Sequence, residues 1–292
     1  MAQYNILITG KDSHIGNKIQ EWLLSHQSDN EIYNIHQLDV ITDEWENFSF
    51  NGYDVVIHVA AIVHRPDCQD WNLYERVNAK LPIRIANKAK NCGVKQFIFF
   101  SSMAVYGFGK VLTDEVIDEE TIPQPKDYYG KSKYLAEQEL IKLDDVEFRI
   151  SIVRPPNVYG ENDTRGYIIT FANIIKRFPV LPIAYENVKQ SMIFIDNLTE
   201  LIRLIIINKS SGYYMPQDIE PVSTVDLISA ISEAKGVHLI KSKFLGYFVR
   251  LFSFIPIITK AYGGISYSVA LSTFKNMNYV VVPFKDAIKK AL

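Results

Sequence analysis

Three tyrosines in this chain are followed four residues later by a lysine: Tyr106 and Lys110, Tyr129 and Lys133, Tyr185 and Lys189. In a chain with 17 tyrosines that spacing decides nothing alone, so the surroundings must choose. Tyr106 and Lys110 enclose two glycines in "YGFGK", and Tyr185 follows a proline-interrupted stretch, so neither pair suits a helix. "DYYGKSKYLAEQEL" does suit one: Asp127 can cap it, and Leu135, Ala136, Leu140 and Ile141 keep an apolar face. The pattern predicts a helix from Tyr129 to about Lys142, with Tyr129 and Lys133 one turn apart on the same side. A phenol with a pKa of ~10 is a poor base at neutral pH. An ammonium about 5 Å away, at an effective dielectric of ~20, contributes on the order of 3 kcal/mol, or roughly two pKa units. The phenolate so formed suits removal of a proton from a sugar or alcohol hydroxyl while hydride leaves the same carbon. Ser102 in "SSMAVYG", just beyond the apolar run "QFIFF", is placed to hydrogen-bond the oxygen that Tyr129 deprotonates; Ser101 is the weaker candidate. Serines that merely satisfy backbone groups at a strand end are the alternative.

The elements that must position these residues alternate along the first half of the chain. "YNILIT", "EIYNIHQLD", "DVVIHVA", "KQFIFFS" and "FRISIVR" read as strands, with helical patterns after Ser13, from about Asn72 to Asn91, and around Tyr129. Strands apolar on both faces, separated by helices, argue a parallel sheet covered on each side. The expected fold is α/β, a Rossmann-like doubly wound parallel sheet with a smaller C-terminal substrate-binding domain. Turn formers in "PPNVYGENDTRG" and the prolines of "RFPVLPIAYEN" interrupt the pattern, and "SMIFIDNLTELIRLIIIN" resumes it. Residues 1–155 with about 188–215 are expected in one domain, and 156–187 with about 216–292 in the other.

Composition narrows the partners. A net charge of −2 and a pI of about 6.3 leave no basic field for nucleic acid. Cys68 and Cys92 have neither metal-ligand spacing nor a disulfide framework, so no metal is expected. A strand starting at Tyr4 leaves no room for a signal peptide, and a cytoplasmic protein is expected. The acceptor triplets at Asn47, Asn162, Asn197 and Asn208 then read as chance. The most apolar segment, Phe244 to Gly264, is broken by Arg250, Pro256 and Lys260 and falls short of the ~20 apolar residues of a membrane span. It is expected as a buried helix of the C-terminal domain, with a membrane-surface helix as the alternative.

A cofactor end is visible as well. "TGKDSHIGNKI" puts Gly10, Ser13, His14, Ile15 and Gly16 at a strand-to-helix turn, where backbone N–H groups and the positive helix end would meet a phosphate. Ser13 occupies the slot of the middle glycine in the dinucleotide fingerprint; its Cβ crowds the pyrophosphate, and its hydroxyl can bond a phosphate oxygen. Asp39 follows Gly16 at a spacing close to the ~20 residues expected of an acid on the ribose hydroxyls, and it favours NAD over NADP. A strand-end loop acid is the other reading. Ala60 and Ala61 would let a cofactor pass close to the sheet.

Taken together, "TGKDSHIG", "VVIHVAAIVH", "ERVNAK", "FFSSMAVYG", "YYGKSK" and "VRPPNVYG" resemble the extended short-chain dehydrogenase/reductase family, in its nucleotide-sugar epimerase/dehydratase branch. The resemblance implies Ser102, Tyr129 and Lys133 as the catalytic trio, with Lys133 and Ser101 also at the cofactor and Pro155 and Pro156 by the nicotinamide. It implies substrate contacts at Asn78 and Asn157, and at Gln190 or Lys189 where the family usually has a diphosphate-clamping arginine. Val63 stands where galactose epimerases place a lysine. The implied activity is NAD-dependent 4-epimerisation of a nucleotide sugar, with UDP as the expected nucleotide, through a transient 4-keto sugar. The alternatives are an NAD(P)H-dependent 4-ketoreductase of a 4-keto-6-deoxy nucleotide sugar and a non-catalytic dinucleotide-binding protein. A homodimer through the helix before "QFIFF" and the Tyr129 helix, and a role in surface polysaccharide precursors, are further implications.

Overall fold

Val55–His58 and Gln96–Phe100 are buried at every position, as strands covered on both faces must be. With Ala2–Thr9 (β1) and Glu31–Leu38 (β2), they form the third and fourth strands, β3 and β4, of a six-stranded sheet. Its order is Gly212–Tyr214, Arg149–Val153, β4, β3, β1, β2, and every neighbouring pair is parallel. This computed structural model describes residues 2–63, 70–161, 166–218, 220–274 and 277–292. Cys68 and Asn162 lie outside the described residues; Cys92 is a free thiol.

Helix His14–Ser25 (α1) follows β1 directly. The stretch from Trp71 to Asn91 is helical as expected, with one departure: Glu75–Lys80 winds as a π turn between α-helical segments. The Tyr129 helix spans Tyr128–Leu140, capped by Asp127 through the Gly130 N–H at 2.7 Å. On one side of the sheet Leu7, Val56, Phe97, Phe99 and Ile152 pack with Ile85, Ala89, Ala136 and Leu140 in a continuous apolar cluster.

The chain divides into two compact units. The first contains Met1–Gly107, Ile122–Pro155 and Thr199–Met215; the second contains Phe108–Thr121, Pro156–Leu198 and Pro216–Leu292. Two boundaries differ from the expected ones, each because of a strand pairing. Residues 108–121 belong to the second unit because Val116–Ile117 pairs with Ser266–Tyr267. The segment before Thr199 joins it because Lys189–Gln190 pairs with Val222–Ser223 and Met192–Phe194 with Asn157–Tyr159.

The expected burial of Phe244–Gly264 is overturned over most of its length, with Gly246 and Tyr262–Gly264 buried. It forms two short helices, Lys243–Leu251 and Pro256–Tyr262, and Gly246 is the only buried residue of the first. Among the described residues no helix is long and apolar enough to cross a membrane.

Candidate active site

Gly10 has a φ of +113°, and a Cβ there would stand 2.8 Å from the backbone nitrogen of Ala60. Only glycine lets the turn after β1 pass this close to the end of β3. Ser13 caps α1, its Oγ accepting from the Gly16 N–H at 3.1 Å. A Cβ on Gly16 would fall 2.5 Å from that oxygen, so the buried Gly16 makes room for the serine that replaces the middle glycine. The Ser13 O–H remains as a donor.

Gly10, Ser13, His14, Ile15, Asp39, Ala60 and Ala61 line one cleft of about 850 Å³. It lies at the carboxyl ends of β1, β2 and β3, where β1 sits between strands added on opposite sides and the order of addition reverses. Ile41, Ile62, Val63 and Leu73 give it apolar walls, and Lys11 and Arg76 give it positive charge. Asp39 accepts the Ile41 N–H on Oδ1 at 2.8 Å, which leaves Oδ2 for a hydroxyl pair. A helix N-terminus with a serine donor at one end and a carboxylate at the other fits a dinucleotide's diphosphate and ribose.

Ser101, Ser102, Tyr129 and Lys133 are not part of that wall and gather at the carboxyl end of β4. Ser102 Oγ accepts the Ala104 N–H at 3.1 Å, capping the turn Met103–Tyr106, and stands near enough to the Tyr129 phenol to pull its pKa down. The Tyr129 helix packs on this turn through Gly130, where a Cβ would lie 2.5 Å from the Ala104 oxygen. Ser101 is buried with no partner for its hydroxyl among the described residues.

Lys133 is wholly buried; its Nζ donates to the Phe100 carbonyl at 2.7 Å and lies 4.7 Å from the centre of the Phe99 ring. Burial brings its pKa down to about 7, opposed by the Glu137 carboxylate. The Tyr129 phenol is pushed up from its ordinary value, first by burial, while Ser102 pulls it down and Asp127 and Tyr74 push it further up. The expected acidification of Tyr129 by Lys133 does not occur here. The ammonium is turned toward the end of the sheet, where it acts on His58 instead.

His58 is a residue the sequence reading passed over. Its Nδ1 lies 2.7 Å from Thr9 Oγ1, its ring stacks with Phe97 and Phe99, and burial, then Lys133, lowers its pKa to about 3. The neutral imidazole thus links the Lys133 side to the residue before Gly10. Also passed over was the continuation of the helical spacing beyond Lys133. Glu137, one turn on, is buried and grips Arg154 through two bonds of 3.0 and 2.6 Å, and Arg154 donates to Tyr106 Oη at 2.8 Å. The i, i+4, i+8 series Tyr129, Lys133, Glu137 was the available signal.

Asn78 is corrected from a substrate contact to an internal brace. Its Oδ1 accepts from the Ile62 N–H and its Nδ2 donates to the Ile62 carbonyl, both at 2.8 Å, with a further bond to Ser132 Oγ at 3.2 Å. The π turn brings this side chain inward, where it fixes the segment after β3. Pro155 is buried and accepts the Met103 N–H at 3.0 Å. In the second unit, Pro156 is buried and Asn157 is exposed at the start of its strand. Lys189 pairs with Asp226 at 2.8 Å, so its charge is already matched, whereas Gln190 is buried with both amide atoms unpartnered.

The model of the NAD dependent epimerase/dehydratase family matches residues 6–214. The chain belongs to that family. As an epimerase/dehydratase it is an NAD(P)-dependent enzyme. A UDP-glucose 4-epimerase of Vibrio cholerae is 26% identical to it over 250 residues, 79% of this chain and 75% of the relative. An N-acetyl-alpha-D-glucosaminyl-diphospho-ditrans,octacis-undecaprenol 4-epimerase of Escherichia coli O157:H7 is 28% identical over 221 residues, 72% of this chain and 65% of the relative. The UDP-glucuronic acid 4-epimerase of Bacillus cereus, solved with NAD, superposes with a TM-score of 0.70 over 98% of this chain and 96% of that one, at 17% identity. At that identity the likeness is one of fold.

Proposed function

We propose that the protein is an NAD-dependent nucleotide-sugar 4-epimerase acting through a transient 4-keto sugar. The observation that carries this reading is the gathering of Ser102, the Tyr129 helix and Lys133 at the carboxyl end of β4, in a chain of the epimerase/dehydratase family. Gly10, Ser13, His14 and Ile15 would hold the cofactor's diphosphate, and Asp39 a ribose, where its carboxylate disfavours a 2′-phosphate. Lys133 uses one N–H on Phe100 and keeps two for the second ribose. Bound NAD would supply the hydride acceptor and a positive ring that opposes the burial shift of Tyr129. Tyr129 takes the proton from the sugar O4, and Ser102 holds the same oxygen by a hydrogen bond. Tyr129 later returns the proton to O4 of the epimer. In the second unit, Asn157 is the accessible candidate for a substrate contact, while Gln190 is buried. The V. cholerae relative makes a UDP-linked sugar the first substrate to try. A cytoplasmic homodimer, joined through Leu81–Asn91 and the Tyr129 helix, goes with this reading.

A second reading, one-way reduction of a 4-keto-6-deoxy nucleotide sugar by NADH or NADPH, has one observation in its favour. Burial holds the Tyr129 phenol protonated, as a proton donor to a keto oxygen must be. Incubating the purified protein with UDP-glucose and no added cofactor separates the two. Appearance of the 4-epimer supports the first; cofactor oxidation on a 4-keto sugar with no epimer formed supports the second. Turnover unchanged in Tyr129→Phe overturns both, and no turnover on either class of substrate leaves a non-catalytic dinucleotide-binding protein.

A further inference from the structure

We propose that the second unit docks on an anionic phospholipid bilayer through the surface formed by Lys243–Leu251 and the turn and helix after it. A nine-residue helix whose single buried residue is a glycine is unusual on its own. Here the exposed side chains are large and apolar: Phe244 is 72% exposed, Tyr247 64%, Phe254 77% and Ile257 63%. Phe244 packs on Phe248 at 5.0 Å between ring centres and Phe252 on Phe254 at 6.0 Å, so the exposed rings stand in groups rather than singly. It extends along the strand pair behind it, where exposed Ile240 and Val180 are register partners.

The helix is anchored, not loose. Ser242 caps it through the Leu245 N–H at 3.2 Å, and Gly246 lies directly against the Ile183 backbone, with no room for a Cβ. The aromatic side is thereby held outward. Apolar surface of this extent marks an interaction site, because water is its least favourable neighbour.

Charge selects the occupant. Between Glu233 and Asp286 the chain has no acidic residue and seven lysines and arginines, in a protein whose net charge is −2. Lys241, Lys243, Arg250 and Lys260 are exposed around the aromatic side chains, and none has an acidic partner among the described residues. A second copy docking by the same surface would set these cations against their own kind. An anionic headgroup layer with acyl chains beneath offers opposite charge and apolar depth together, as interfacial helices require.

The test is sedimentation of the full-length protein with vesicles of phosphatidylcholine, with and without phosphatidylglycerol. Expected is binding to the anionic vesicles that weakens with salt and little binding to phosphatidylcholine alone. K241Q/K243Q, at exposed positions that leave the melting temperature unchanged, should lower the partition coefficient roughly 25-fold, at about fivefold per base. Protein that stays in the supernatant with anionic vesicles overturns the proposal, as does equal binding to both vesicle types. A dimer in light scattering that Phe244→Ser dissociates, without vesicle binding, overturns it in favour of a second copy. None of these readouts uses turnover, so failure here leaves the proposed reaction standing.

Discussion

The Tyr129 helix and the Phe244 helix break the same rule in opposite directions. The first buries Ser132, Lys133 and Glu137; the second exposes Phe244, Tyr247, Phe248 and Leu251. Charge goes inside the first because every group has a specific answer: Phe100 carbonyl for Lys133, Arg154 for Glu137, Tyr106 for Arg154. Such an arrangement adds little net stability over an apolar core, and its value lies in fixing where the groups stand. The second helix has no internal answer for its rings among the described residues, and the proposed answer lies outside the chain. Residues placed against their solvation preference are where this molecule does something other than fold.

The largest effect that would sharpen this contrast is on rate. Tyr129→Phe is expected to lower turnover by ~10²–10⁴ with the melting temperature unchanged, measured as kcat on a responsive sugar nucleotide. A loss under tenfold would break the catalytic side of the comparison. Next, Glu137→Gln leaves Arg154 buried without its counter-charge and should lower stability by ~3–5 kcal/mol in urea titrations. Gly246→Val drives a side chain into the Ile183 backbone and should lower stability by ~1–3 kcal/mol, showing that the second helix is anchored.

Lys133 gives a pH-dependent signature that is modest at any one pH near neutrality and accumulates as pH rises. Its pKa is about 7 folded against 10.5 for an ordinary lysine, so between these values the unfolded chain binds the extra proton. Stability from this group therefore rises with pH across that window, by up to about 1.4 kcal/mol per unit, and its burial penalty is full below pH 7. Wild type should gain on Lys133→Met from pH 7 upward; parallel curves would place the lysine in water. Smallest of all, Phe244→Ser should change stability by no more than about 0.5 kcal/mol in thermal melts.

The sheet was legible because β3 and β4 are short apolar runs that only a doubly covered strand satisfies. Tyr129 and Ser102 were legible from a helical spacing next to a strand end, and their contact is local in kind if not in sequence. Three things were hidden, each for its own reason. Asn78 is expected at the substrate on a regular helix, and a π turn carries it inward. The partnership of Glu137 with Arg154 joins two elements, and no single-element pattern records which acid meets which base. Lys133 has the right spacing to face Tyr129, yet the Phe100 carbonyl claims it, a choice set by backbone three dimensions away from the helix. The apolar text of Phe244–Gly264 says that its side chains avoid water; it does not say whether the chain itself shelters them.

The wide turn at Glu75–Lys80 makes the length of the chain there a fixed quantity. Deleting one residue would heal the helix into regular winding and rotate what precedes it by about 100°. Asn78 and Ile62 could not then both keep their grip, and a shorter, locally tidier helix would loosen the wall of the cleft. Insertions and deletions, tolerated freely in surface loops, should be as damaging in this stretch as the loss of a named side chain.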